Sequence, residues 1–173
     1  MSAEQGNNRN KVKKLCIYAL LVAVCSAVSY LESFIPLSFI APGIKPGLAN
    51  SVALLLIARG DFKGAYAVNI TRILLSALIF GSFFSLVFAL SAGVVSLTAT
   101  ALCSKIKSLS VIGLSVIGGV VHNAVQLFVA YFVTDKSVLL YTPVLIVGGV
   151  VCGIAAGTLC NLILKKVKTN YIF

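Results

Sequence analysis

The sequence predicts an all-α integral membrane protein, a bundle of six transmembrane helices with both termini in the cytoplasm. Three observations point there. Six apolar stretches, at 15–31, 47–58, 65–80, 83–103, 109–133 and 138–164, fill most of the 173 residues. The chain is 60% hydrophobic and 10% charged, with a mean hydropathy of +1.07, too few charges to cover a water-soluble domain. Assigning alternate connectors to opposite faces puts Arg9, Lys11, Lys13, Lys14, Arg59, Lys63, Lys105, Lys107, Lys165, Lys166 and Lys168 on one side, against Lys45 and Lys136 on the other. Basic residues collect on cytoplasmic connectors, which sets the orientation.

Each element follows in order. Residues 1–14 are polar and end in a basic anchor, so they read as a disordered cytoplasmic tail, and 165–173 as a second one. The first helix carries Ala19, Ala23 and Ala27 at four-residue spacing, a flat stripe on which another helix can lie closely. The connector after it contains Pro36, Pro42, Gly43 and Pro46, which prevent a continuous helix, yet it is mostly apolar. It reads as a lid over the outer mouth of the bundle. The second stretch is short, since a span needs roughly 20 apolar residues. The remaining outer connectors are a tight Gly81-Ser82 turn and the turn at 134–137. In the last helix Gly149, Gly153 and Gly157 form a double GxxxG, suited to packing within the bundle or to docking on another membrane protein.

Polar side chains inside spans are the candidate site. Arg72 falls near the middle of the third span, where an arginine costs roughly 2.5–3.5 kcal/mol on insertion scales unless it faces the interior or a wet cavity. Asn69 and Ser76 share its helical face. His122, Asn123 and Gln126 form a second polar face in the fifth span. Asn50 lies one turn into the second helix, beyond Lys45-Pro46-Gly47, and a helix start of that kind attracts anions. Glu32 is the only acid placed to neutralise Arg72. Lys45, Asn50, Arg72, His122, Asn123 and Gln126 are therefore the expected substrate-binding residues, for an anionic or strongly hydrogen-bonding ligand. An isoprenoid or quinone-like ligand is the alternative.

Several classes fall away. The net charge of +10 sits at helix ends on one face, so topology accounts for it and nucleic acid is not an expected partner. The first stretch reads as a span and not as a cleavable signal peptide. The five cysteines lie in spans or at their cytoplasmic ends without a CxxC pair, and one histidine cannot supply paired haem ligation, so neither a metal site nor a cofactor is expected. No GxxxxGK[ST] occurs, so energised transport would need a partner.

KPGLAN (45–50), the arginine in NITRILLSALIFGS (69–82), FSLVFALSAG (84–93) and GGVVHNAVQL (118–127) resemble the Gx transporter family, also labelled heptaprenyl diphosphate synthase component I. That family is similar to the substrate-binding S components of energy-coupling-factor vitamin transporters. The resemblance covers about residues 14–165. It implies a six-helix bundle with an outward-opening ligand site, and a transmembrane coupling subunit docked on Ala19, Ala23 and Ala27. It also implies a genomic setting beside flavin-binding extracytoplasmic proteins, hence a role near flavin- or quinone-linked electron transfer. Prenyl-chain elongation holds diphosphates on magnesium through clustered carboxylates. The four acids here are scattered, so this chain alone is not expected to perform that chemistry.

Overall fold

The computed structural model describes residues 2–34, 47–80, 82–133 and 136–166. Its elements are α1 (Ser2–Ser33), α2 (Asn50–Ala58), α3 (Phe62–Phe80), α4 (Phe83–Cys103), α5 (Val111–Val133), a 3-10 helix (Lys136–Tyr141) and α6 (Thr142–Lys166). Five helical segments are long and apolar enough to cross a membrane: Asn7–Glu32, Phe62–Ile79, Phe83–Cys103, Val111–Val133 and Ser137–Lys166. α2 is not among them. Its nine residues rise about 13.5 Å, under half of a roughly 30 Å hydrocarbon core.

Two expected boundaries move. The polar segment expected to be disordered belongs to α1, which begins at Ser2. It contains no proline, and although Gly6 and three asparagines are poor helix formers, extending a helix already nucleated in the apolar span avoids the cost of a new nucleus. The expected second span also shortens at its start. Gly47 adopts φ 69°, and the chain turns through Leu48 and Ala49 before Asn50 enters α2. α2 ends in a Schellman motif. Gly60, at φ 81°, donates its N–H to Ile57 O at 2.9 Å, and Asp61 N–H reaches Leu56 O at 2.9 Å. Ser82 caps α4 by accepting from Ser85 N–H at 3.3 Å.

Side-chain bonds fix the helix directions. Tyr18 bonds Asp61 and Ser29 bonds Arg72, both pairs 43 residues apart, so α1 and α3 run parallel. α2 returns between them, with Glu32 at its first turn and Asp61 beyond its last. α5 and α6 are antiparallel. A Cβ built on Gly119 would lie 2.6 Å from Gly149 O, one on Gly153 2.7 Å from Val116 Cα, and one on Gly157 2.8 Å from Ile112 Cα. The double GxxxG of α6 is thus spent on α5 of the same chain.

α2 is buried nearly all round: Ser51, Ala53, Leu54, Leu55, Leu56 and Ile57 are inaccessible. A short helix that is apolar on every face belongs at the centre of a bundle. Leu56 and Ile57 pack with Cys25, Val68 and Leu97, while Leu54 and Leu55 pack with Leu114 and Cys160. The long helices instead leave Leu20, Leu78, Phe83, Phe132 and Val147 exposed, apolar surface that a bilayer would solvate.

Candidate functional site

Arg72 organises one end of the molecule. Its guanidinium donates to Ser29 Oγ at 3.0 Å, Asn50 Oδ1 at 3.0 Å and Asn69 Oδ1 at 2.9 Å. One side chain therefore joins α1, α2 and α3. The sequence placed Asn69 on its face, and the two asparagine carbonyls present the negative ends of their dipoles to a charge that lipid cannot solvate.

Glu32 does something besides the pairing expected of it. Its carboxylate, 6% exposed, accepts from the N–H groups of Leu48 and of Ala49, the latter at 3.4 Å. It thus closes the start of α2, where unpaired N–H groups and the helix dipole favour an anion. The anion-attracting helix start read from the sequence already holds an anion of this chain. Glu32 caps α2 because the turn at Gly47 aims those N–H groups at the end of α1.

A cavity of about 170 Å³ opens beside Arg72, walled by Ser29, Glu32, Asn50, Ser76, His122 and Gln126 among others. A second cavity of about 80 Å³ continues inward among α2–α6, lined by Asn69, Ser96, Thr100, His122, Asn123 and Cys152 among others. Gly47, Asn50 and His122 line both. Each is smaller than the roughly 300–1,000 Å³ of a pocket that swallows a drug-sized molecule. His122 Nδ1 is 3.5 Å from Ser96 Oγ.

Four of the six expected site residues, Asn50, Arg72, His122 and Gln126, meet at the first cavity. Asn123 is set apart. Its Nδ2 donates to Leu145 O at 2.7 Å, so it ties α5 to α6 while bordering the inner cavity. Lys45 and most of the expected lid, 35–46, lie outside the described residues. Ser29 was not anticipated. Its position three residues before Glu32 on the inward face of α1 was the available signal.

The family model for heptaprenyl diphosphate synthase component I matches residues 21–163. The chain belongs to that family. No curated protein and no solved structure matches it.

Two features of this component I chain bear on its role. Ala19, Ala23 and Ala27 are all exposed, while Tyr18, Leu21, Val22, Cys25 and Ser29 turn inward. Among the described residues α1 packs only on α2 and α3, so the alanine stripe is outside the bundle. At the far end of α1, Tyr18 donates to Asp61, and Lys14 lies 3.5 Å from the same carboxylate. Burial pushes the Asp61 carboxyl up. The bonds from Tyr18 and Gly64 N–H, with the Lys14 ammonium, outweigh that and hold it below its ordinary value. Glu32 and Asp61 thus sit at opposite ends of α2, and among the described residues no group of three or more His, Cys, Asp or Glu is placed to hold a metal ion.

Proposed function

We propose that this component I chain is an S-component-like, membrane-embedded substrate-binding subunit of a small-molecule transporter. In this reading the short segment 47–58 is the sixth membrane segment, both termini are cytoplasmic, and an energised partner docks on α1. One observation carries the reading: Asn50, Arg72, His122 and Gln126, from three different helices, converge on a single cavity. Polar groups at membrane depth need mutual or ligand partners. A purely structural bundle would satisfy them in scattered pairs, as Asn123 is satisfied. The exposed alanine stripe supports the docking half, and the lack of a nucleotide-binding motif supplies the need for a partner.

Native mass spectrometry of protein extracted in its own lipids tests binding. A small molecule should be retained by the wild type and lost from Arg72→Ala. An identical ligand-bearing spectrum from Arg72→Ala and from a His122→Ala/Gln126→Ala double variant would sink the site. Orientation is tested by labelling single cysteines in a cysteine-free background. Ser38→Cys and Ser137→Cys should react from outside the cell, and Ser104→Cys and Ser108→Cys should not.

A second reading is a non-catalytic membrane subunit of prenyl-diphosphate or quinone metabolism, or of flavin- or quinone-linked electron transfer; the family's description supports its prenyl-diphosphate part. A co-purified isoprenoid or quinone would select it.

A further inference from the structure

Among the described residues Arg72 donates three hydrogen bonds, all to neutral oxygens, out of the five N–H donors a guanidinium carries. One turn along α3, Ser76 lines the same cavity, and its hydroxyl is buried with no hydrogen-bond partner. Across the cavity on α5, the Gln126 carbonyl oxygen is in the same condition. Buried polar groups are almost always paired, and each one left unpaired is destabilising. Two such groups flanking an arginine with donors to spare, in one small cavity, make a polar site shaped to hydrogen-bond a ligand.

The charges limit what that occupant is. Among the described residues the cavity is lined by one cation, Arg72, and one anion, Glu32. The Glu32 carboxylate is taken up by the N–H groups at the start of α2, which leaves the single positive charge of Arg72 to be met. A single negative charge neutralises it. A diphosphate would leave excess negative charge in a low-dielectric site, which is costly. The N-terminus of α2 cannot take up that excess, because Glu32 occupies it.

We propose that the Arg72 cavity takes a singly charged acidic headgroup, a carboxylate or a phosphodiester, held by Arg72, Ser76 and Gln126, and that it discriminates against diphosphates. The proposal rests on the substrate-binding reading above and specifies its ligand class. The Ser76 hydroxyl donates to the acid. The Gln126 amide meets its second oxygen or a neighbouring hydroxyl, since its oxygen and nitrogen exchange places by a half-turn. About 170 Å³ holds such a headgroup and a short stem.

The test uses full-length protein in phosphatidylcholine nanodiscs and three probes sharing one five-carbon chain: 3-methylbut-2-enoate, dimethylallyl diphosphate and 3-methylbut-2-en-1-ol. The carboxylate should bind at least about tenfold more tightly than either of the others, the margin of one charge-assisted hydrogen bond. Arg72→Gln should abolish that preference. Because Arg72 also braces three helices, Ser76→Ala and Gln126→Leu are the decisive variants. Each should keep or raise the melting temperature, having removed an unpaired group, and weaken carboxylate binding about tenfold. Adding phosphatidylglycerol to the nanodiscs distinguishes the source: competition assigns the acid to a lipid headgroup, and none assigns it to a free solute. Tighter binding of the diphosphate, or unchanged carboxylate affinity in both decisive variants, would overturn the proposal. Equal binding of the alcohol would overturn the charge assignment alone, leaving the cavity as a binding site. Failure of the variants to affect any probe would sink the cavity itself.

Discussion

The α5–α6 seam and the α1–α2–α3 end are held together by opposite means. In the seam, backbone lies on backbone: Gly119 meets Gly149, and Gly153 meets Val116, with no side chain between. Such contacts combine dispersion and close carbonyl approach, and they leave no second arrangement. At the other end, Arg72, Asn50, Asn69 and Ser29 bridge three helices through flexible side chains around a cavity. In the function proposed above, these are the groups that a ligand would meet. One half of the molecule is built to stay fixed, and the other to be addressed.

Glycine substitution should break the fixed half most severely. Gly153→Leu drives a side chain into the α5 backbone, and overpacking of this kind costs typically 1–3 kcal/mol or more. We expect loss of folded protein, read as aggregation on size-exclusion chromatography. Gly113→Ala is the contrast, because a Cβ there meets nothing closer than Ser110 Oγ at 3.5 Å. It should raise stability by about 0.5–1 kcal/mol through helix propensity. A destabilised Gly113→Ala would show that the distinction between tight and open glycines is misplaced.

The addressable half should respond in function before stability. Arg72→Ala should weaken ligand binding by at least about tenfold, and more than Asn69→Ala does, since Asn69 reaches the site only through Arg72. Equal losses would mean that the asparagine contacts ligand directly. Ala23→Leu should abolish association with a partner membrane protein while the melting temperature stays within about 0.5 kcal/mol of wild type, as for an exposed site. Unfolding of that variant would place the stripe inside the bundle.

The smallest effect concerns acid. Asp61 titrates lower in the folded protein than in the unfolded chain, so its contribution is complete above the unfolded value of about 3.9. That contribution fades as pH falls through the folded value. Asp61→Asn should therefore flatten the loss of melting temperature between about pH 5 and pH 3, by under about 1 kcal/mol because Lys14 is half exposed. A steeper acid limb in the variant would reverse the sign.

Hydropathy and charge made the long helices legible because lipid acts on every residue of a span. The limits 83–103 expected for α4 are those observed. The cost of a buried arginine likewise pointed to Arg72 and to a polar cluster. What sequence could not supply was pairing. The GxxxG spacing shows that α6 can approach something closely, but nothing in the spacing says that α5 is the partner. The role of Glu32 depends on a glycine at positive φ fifteen residues later, and a left-handed turn leaves no periodic trace. Ser29 is one serine among several until Arg72 is set beside it.

The constant offset between α1 and α3 has a consequence for biogenesis. Tyr18 waits for Asp61 and Ser29 for Arg72, each 43 residues later in synthesis. At roughly 5–20 residues per second, the first helix leaves the ribosome about 2–9 s before these two contacts exist. The Glu32 carboxylate meets Leu48 and Ala49 sooner, within 17 residues, so the start of α2 is tied to α1 before Arg72 arrives. The contact of α1 with Arg72 is therefore the later of the two, and it closes the α1–α3 pair around a helix already in place.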